Sequence, residues 1–210
     1  WIRWRRLRRW PRRWWVQLGR RRQFWRRRRI GRLVNMNKLL RIFKHRWMDR
    51  SDTLRAVPDS MAERIARRVA ASEGRHTGEV RLCVEASLPL SYLWRIDSEA
   101  PLAQVVRERA LTWFGRLRIW DTEHNNGVLI YVLLAEHAIE FVADRALSRR
   151  VSQAQWQAIV DSLAVRLKSD EYEDGLTQAL EEVSALLVRH FPAEADTLRP
   201  NELPDTVVRR

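Results

Sequence analysis

The sequence predicts an α/β fold, a three-layer α/β/α sandwich around a small mixed sheet, and three observations carry this. Val128–Ala135 is apolar without a break, as in a strand buried on both faces. Before it comes a shorter alternating strand and then a helix, a β–α–β crossover that makes the two strands parallel. After it comes a returning strand and two long helical patterns, which supply cover for the sheet.

The elements follow in chain order. Met36–Trp47 reads as a short basic amphipathic helix with Leu39, Leu40, Phe43 and Trp47 on one face, followed by a linker to residue 57. Pro58-Asp59 opens a helix whose Met61, Ile65, Val69 and Ser72 recur at helical spacing until Gly74. Val80, Leu82 and Val84 alternate through a strand ending near Ala86, and Ser87–Ser98 is loop with a helical turn. Pro101 starts the crossover helix, buried along Leu102, Val105, Val106, Ala110, Trp113, Phe114 and Leu117. Asn126-Gly127 breaks the chain before the strand 128–135. A two-residue Glu136-His137 turn then returns it through Ala138–Asp144, with Ala135 opposite Ala138 and Asp144 opposite Leu129. Helices at Gln153–Lys168 and Asp170–Arg189 complete the body, Pro192 stops the second, and 193–210 reads as a flexible tail. The domain plan is thus a leader (1–35), a basic helix and linker (36–57), the α/β domain (58–192) and the tail (193–210).

Charge separates the leader from the body. The chain of 210 residues has a net charge of +14, yet residues 1–35 hold 15 Arg, 6 of the 11 Trp and no acid. The remainder carries 25 bases against 26 acids, which excludes a basic nucleic-acid-binding domain. The leader itself has three readings: an anionic-membrane binder, a nucleic-acid binder, or a Gly-rich tract translated out of frame. Arg20–Arg29 back-translates to a Gly/Ser-rich run one frame away, so the expectation is that the leader is a mis-assigned start and Met36 the natural one. One cysteine, Cys83, allows neither an internal disulfide nor a cysteine-rich zinc site. The longest apolar run is too short to span a bilayer, and no secretory signal follows Met36; the expectation is a soluble, cytoplasmic protein.

The expected topology gathers one polar constellation at the amino-terminal end of the parallel pair: Glu79, Asp121, Glu123, His124, Asn125, Asn126 and Asp144. It lies away from the carboxyl-end crevice where open α/β sheets bind nucleotides, and the body has no Gly-rich phosphate loop. The expectation is therefore neither a dinucleotide-binding nor a P-loop enzyme.

Trp120-Asp121-Thr122-Glu123-His124-Asn125-Asn126-Gly127-Val128-Leu129-Ile130-Tyr131, Ile139-Glu140-Phe141-Val142-Ala143-Asp144-Arg145 and Tyr172-Glu173-Asp174-Gly175-Leu176 resemble the TPM-domain family over Arg64–Pro192. That family is named for thylakoid-lumen, photosystem-II-repair and receptor-modulating members, and the likeness is to its soluble bacterial branch. The resemblance implies an α/β/α sandwich, and either acid phosphatase or calcium-binding chemistry at Asn125-Asn126-Gly127 with Asp144 opposite. It also implies a neighbouring secreted TPM paralogue with a Gly-rich tail, the source expected for an out-of-frame leader. Carried onto this chain, a divalent metal (Ca²⁺ or Mg²⁺) would be held by Asp121, Glu123, Asn125 and Asp144. Asp121, His124, Asp144 and Arg145 would form the catalytic set, with His124 or Arg145 meeting the phosphate. Two departures weaken that set. Asn125 stands where many members have Asp, and Ala146 where Gly is usual.

Each residue also has a structural role available. Asn126-Gly127 is a turn pair, Asp144 a helix cap or an Arg145 partner, and His124 and His137 surface loop residues. Cys83 is a small core residue, and Trp113, Trp120 and Trp156 anchor the core. Two functions remain: an interaction or assembly module docking on a membrane-linked protein partner, such as a membrane-anchored TPM paralogue, or a divalent-metal phosphatase. Asn125 and the lack of a dense carboxylate or His cluster favour the first. For residues 36–210 the expectation is no nucleic acid and at most weak membrane contact.

Overall fold

The computed structural model describes residues 30–97, 99–193 and 203–210, with the side chains of 30–37 excepted. The expected leader lies outside the described residues as far as position 29. Residues 1–37 and Lys38–Arg210 group as separate units, and the second is the α/β domain.

Helices α1 (Ile30–Trp47), α2 (Arg50–Ala56) and α3 (Asp59–Glu73) lead into strand β1 (Val80–Glu85). The short α4 (Leu90–Leu93) and the crossover helix α5 (Leu102–Arg116) precede β2 (Val128–Leu133) and β3 (Ala138–Ala143). Then come α6 (Arg145–Ser148), α7 (Gln153–Lys168), α8 (Tyr172–His190) and β4 (Val208–Arg209). The sheet order is β3-β2-β1-β4, with β1 parallel to β2 and β4, and β3 antiparallel to β2.

The layers are those expected. On one face Val80, Leu82 and Val84 of β1 pack with Ile65 and Val69 of α3, Leu163 of α7 and Leu180 and Leu187 of α8. On the other, Cys83 and Tyr131 pack with Val105, Val106 and Trp113 of α5 and Leu93 of α4. Alternation of side chains along β1 thus feeds both cores, and all six of its residues are buried.

Five details differ from the sequence reading. The expected linker after residue 47 contains α2, whose start is fixed by a capping box between Asp49 and Asp52. The register of the hairpin is shifted by two: Leu133 faces Ala138, Val128 faces Ala143, and Asp144 follows opposite Gly127. Leu134 and Ala135 are the cause, because their N–H groups bond to the Glu85 and Ala86 carbonyls of the first strand, and His137 closes a four-residue turn at φ 50°. A two-residue shift leaves every side chain on its expected face. The expected tail ends in β4, where Arg210 bonds through both N–H and C=O to Val84 and Ala86. A short helix, α6, follows Asp144 directly. Finally, Trp120 is 53% exposed, whereas Trp113 is buried and Trp156 stacks 5.7 Å from Phe141 as a core anchor.

Helix α1 is oriented opposite to a simple docking helix. Arg41, Ile42 and His45 turn inward, and Leu39, Leu40, Phe43 and Trp47 turn outward.

Candidate functional site

The loop between α5 and β2 builds the amino-terminal pole. It turns twice through left-handed residues, Arg118 at φ 54° and Asn125 at φ 50°, the second a residue type that tolerates this region. Buried Thr122 pins the loop: its carbonyl accepts from Asn125 N–H and its hydroxyl from Asn126 N–H at 3.3 Å. The Asn126 amide is buried and donates to Thr77 Oγ1 at 2.8 Å, tying the loop to the entry of β1. A Cβ on Gly127 would collide with the Ile119 carbonyl and lie 2.7 Å from Ile119 Cγ2, so no other residue fits there.

Asp144 stands opposite Gly127 and donates its N–H to the Gly127 carbonyl at 2.9 Å. Its buried carboxylate caps α6, Oδ1 accepting from Arg145 N–H at 2.6 Å, while Oδ2 has no hydrogen-bond partner among the described residues. Arg145 is exposed; it places Nε 3.8 Å from Asp144 Oδ1 and donates Nη2 to Asn125 Oδ1 at 3.4 Å. Asn125, Asn126, Gly127, Asp144 and Arg145 are therefore brought together as expected.

Asp121, Glu123 and His124 lie exposed around this cluster, next to exposed Trp120. Glu79 lies just before β1, and it is a neighbour of Glu73 and Arg81, which also face Asp205. Burial, with the charges of Glu79 and Asp205 adding to it, pushes the Glu73 carboxyl up to about 9. Among the described residues no group of three or more His, Cys, Asp or Glu side chains is gathered to hold a metal ion. Of the expected ligands, Asn125 gives its amide oxygen to Arg145 and Asp144 one oxygen to the α6 cap. The residues present do not fit the expected four-ligand site.

Two networks at the opposite, carboxyl end of β1 and β2 lay outside the sequence reading. Glu85 is buried and accepts from Arg109 Nε at 2.9 Å, Trp113 Nε1 at 3.0 Å and Tyr131 Oη at 2.7 Å. Arg109 is stacked between the Tyr92 and Trp113 rings, 5.2 Å from each. Burial works against its charge, but the bonds and charge of Glu85 outweigh it and hold the guanidinium above its ordinary range. The second network attaches α1. His45 Nδ1 accepts from Leu88 N–H at 2.9 Å, which leaves Nε2 to donate to Glu136 Oε1 at 2.8 Å. Arg41 bridges Glu136 at 3.2 Å and Asp97 at 2.9 Å. Burial would raise the Glu136 carboxyl, but the His45 bond and the Arg41 charge hold it below its usual value.

The signal for the first network was in the sequence. Arg109 sits at helical spacing within the buried stripe of α5, and Arg81 and Glu85 share an inward-facing parity in β1 with Cys83. Charged residues at core positions require charged partners.

Comparison with known proteins agrees with this architecture. No curated protein matches the chain. Among solved structures, the NMR structure of the BA42 protein from the psychrophilic bacterium Bizionia argentinensis is similar at a TM-score of 0.60 and 24% identity. The match covers 72% of this chain and 94% of that one, and it supports the fold alone. Among the described residues no helix is long and apolar enough to cross a membrane. The family model described as the TPM domain matches residues 51–186, which includes the pole and most of both cores, and the chain belongs to that family.

Proposed function

We propose that this TPM domain is a non-enzymatic docking module for a membrane-linked protein partner, a membrane-anchored TPM paralogue being the first candidate, and that the amino-terminal pole is its contact surface. The observation that carries this is Trp120, 53% exposed on a loop pinned by Thr122 and Asn126, with Asp121, Glu123 and His124 exposed around it. An exposed Trp on a rigid support, ringed by polar groups, is the composition of an interface hot spot. Its acidic rim suits a partner that presents basic and apolar groups.

A second reading, divalent-metal-dependent hydrolysis of phosphomonoesters, draws on one observation. Asp144 Oδ2 and Asn126 Oδ1 are buried oxygens at the same pole without a hydrogen-bond donor among the described residues.

Two measurements separate the readings. Titration calorimetry against the soluble domain of the paralogue should give binding that Trp120→Ala weakens about 30-fold or more, the size of a 2 kcal/mol hot spot. Phosphomonoester assays with Ca²⁺, Mg²⁺ or Mn²⁺ should give no turnover. Turnover that Asp144→Asn and Asp121→Asn abolish would establish the phosphatase reading instead.

A further inference from the structure

Helix α1 presents an apolar stripe with high exposure. Leu39, Leu40, Phe43 and Trp47 are each more than 60% exposed, and the Phe43 and Trp47 rings lie 5.7 Å apart as one surface. The back of the same helix is fastened through Arg41 and His45, so the stripe is held outward by the attachment of its opposite side. Beside it, Leu90 and Trp94 of the α4 region are 52% and 57% exposed, and Lys38 Nζ donates to the Trp94 carbonyl at 2.6 Å. Patches of this kind on a folded domain mark interaction surfaces.

The charges around the stripe select its occupant. Helix α1 contains no acidic residue from Ile30 to Trp47. Lys44 and Arg46 are exposed on it, and exposed Arg50 follows. The acids near the helix are engaged elsewhere: Glu136 and Asp97 pair with Arg41 and His45 on its inner side, and Asp49 and Asp52 are turned into the α2 cap, where each accepts a backbone N–H. We propose that α1 lies in the interface of an anionic bilayer, its Leu39–Leu40–Phe43–Trp47 stripe among the acyl chains and its exposed bases against the headgroups. A convex helix face with bulky apolar residues, a terminal Trp, flanking bases and no acid has the chemistry of an interfacial helix. Glu136 already acts on Lys44, but a protein groove fitted to the same stripe would have to place acids opposite Arg46 and Arg50, whereas a phosphatidylglycerol surface supplies negative charge at any rotation of the helix. This surface is at the other end of the sheet from Trp120, so it stands or falls independently of the pole.

The test uses the whole chain, with a fluorophore that reports burial of α1 alone, because the Arg-rich segment before it would bind anionic vesicles by charge. Leu40→Cys is labelled with an environment-sensitive NBD group. Cys83 does not compete, being buried with its thiol pushed well above the ordinary range by burial. On vesicles of phosphatidylcholine with about one-third phosphatidylglycerol, NBD emission at position 40 should shift to the blue and rise several-fold. It should not respond to pure phosphatidylcholine, nor should a Val165→Cys label on exposed α7. Phe43→Glu with Trp47→Glu should abolish the response while circular dichroism stays unchanged. The proposal is overturned if position 40 remains aqueous while the protein co-sediments with vesicles. It is overturned equally if the response grows with protein concentration in the absence of lipid, which would make the stripe a contact between copies.

Discussion

The Arg109 guanidinium grips the Glu85 carboxylate inside the core between α5 and the sheet, with Nε to Oε2 at 2.9 Å and both side chains almost fully buried. Two further donors, Trp113 and Tyr131, fill the same carboxylate. Removing one partner of such a pair strands the other's charge in the interior. Arg109→Met should therefore cost about 3–5 kcal/mol in urea unfolding. Adding Glu85→Gln removes the stranded charge and keeps acceptors for Trp113 and Tyr131. The double variant should recover at least about 1 kcal/mol relative to the sum of the two single losses.

Two glycines should respond with opposite sign to the same change. Gly127→Ala drives a methyl into the Ile119 carbonyl at the pole and should destabilise by about 1–3 kcal/mol or more. Gly115→Ala, within α5, meets nothing within 4 Å and should stabilise by about 0.5–1 kcal/mol through helix propensity. Thermal unfolding of the two variants side by side checks both.

The attachment of α1 should be separable from the stability of the domain. Glu136 accepts from His45 and pairs with Arg41, and few other polar contacts hold the helix. Glu136→Ala should raise amide hydrogen exchange across residues 38–47 while protection in β2 persists. Equal loss of protection in β2 would mean that α1 is integral to the core.

Stability should fall as the solution becomes more alkaline because of Glu73. Its carboxyl is raised to about 9 in the folded chain by burial and by Glu79 and Asp205, against an ordinary value near 4.5. Between those limits the native state binds the proton and the unfolded state does not, so stability drops with rising pH, by at most about 1.4 kcal/mol per pH unit. Glu73→Gln keeps an acceptor for Val80 N–H and removes the titration. Its melting temperature should therefore exceed that of the parent by more at pH 8 than at pH 5.

The layers of this fold were readable because periodicity reports burial directly. Unbroken apolar 128–135 became a central strand, and the stripe through Val105, Ala110 and Trp113 became the inner face of α5. Turns were less readable, because they depend on what neighbouring strands do. The hairpin moved by two residues when Leu134 and Ala135 paired with the end of β1. Strand β4 is two residues long and owes its existence to a partner distant in sequence, so no local pattern announced it. At the pole, the cluster of Asn125, Asn126, Gly127, Asp144 and Arg145 followed from topology. What the sequence left open was the direction of each side chain: Asp121, Glu123 and Trp120 outward, Glu79 toward Glu73 and Arg81. The apolar positions of α1 were visible too, but an amphipathic pattern does not say which face docks. Charged Arg41 and His45 found buried partners, and the apolar face was left outside.

Strand β4 has a consequence for handling the protein. Among the described residues, Val208 and Arg209 and the bonds of Arg210 cover the outer edge of β1. Without residues 203–210, a six-residue strand of Val, Arg, Leu, Cys, Val and Glu would offer its backbone to any other chain. A preparation clipped there would be expected to lose solubility before it loses helical content, as copies add to one another's open edge.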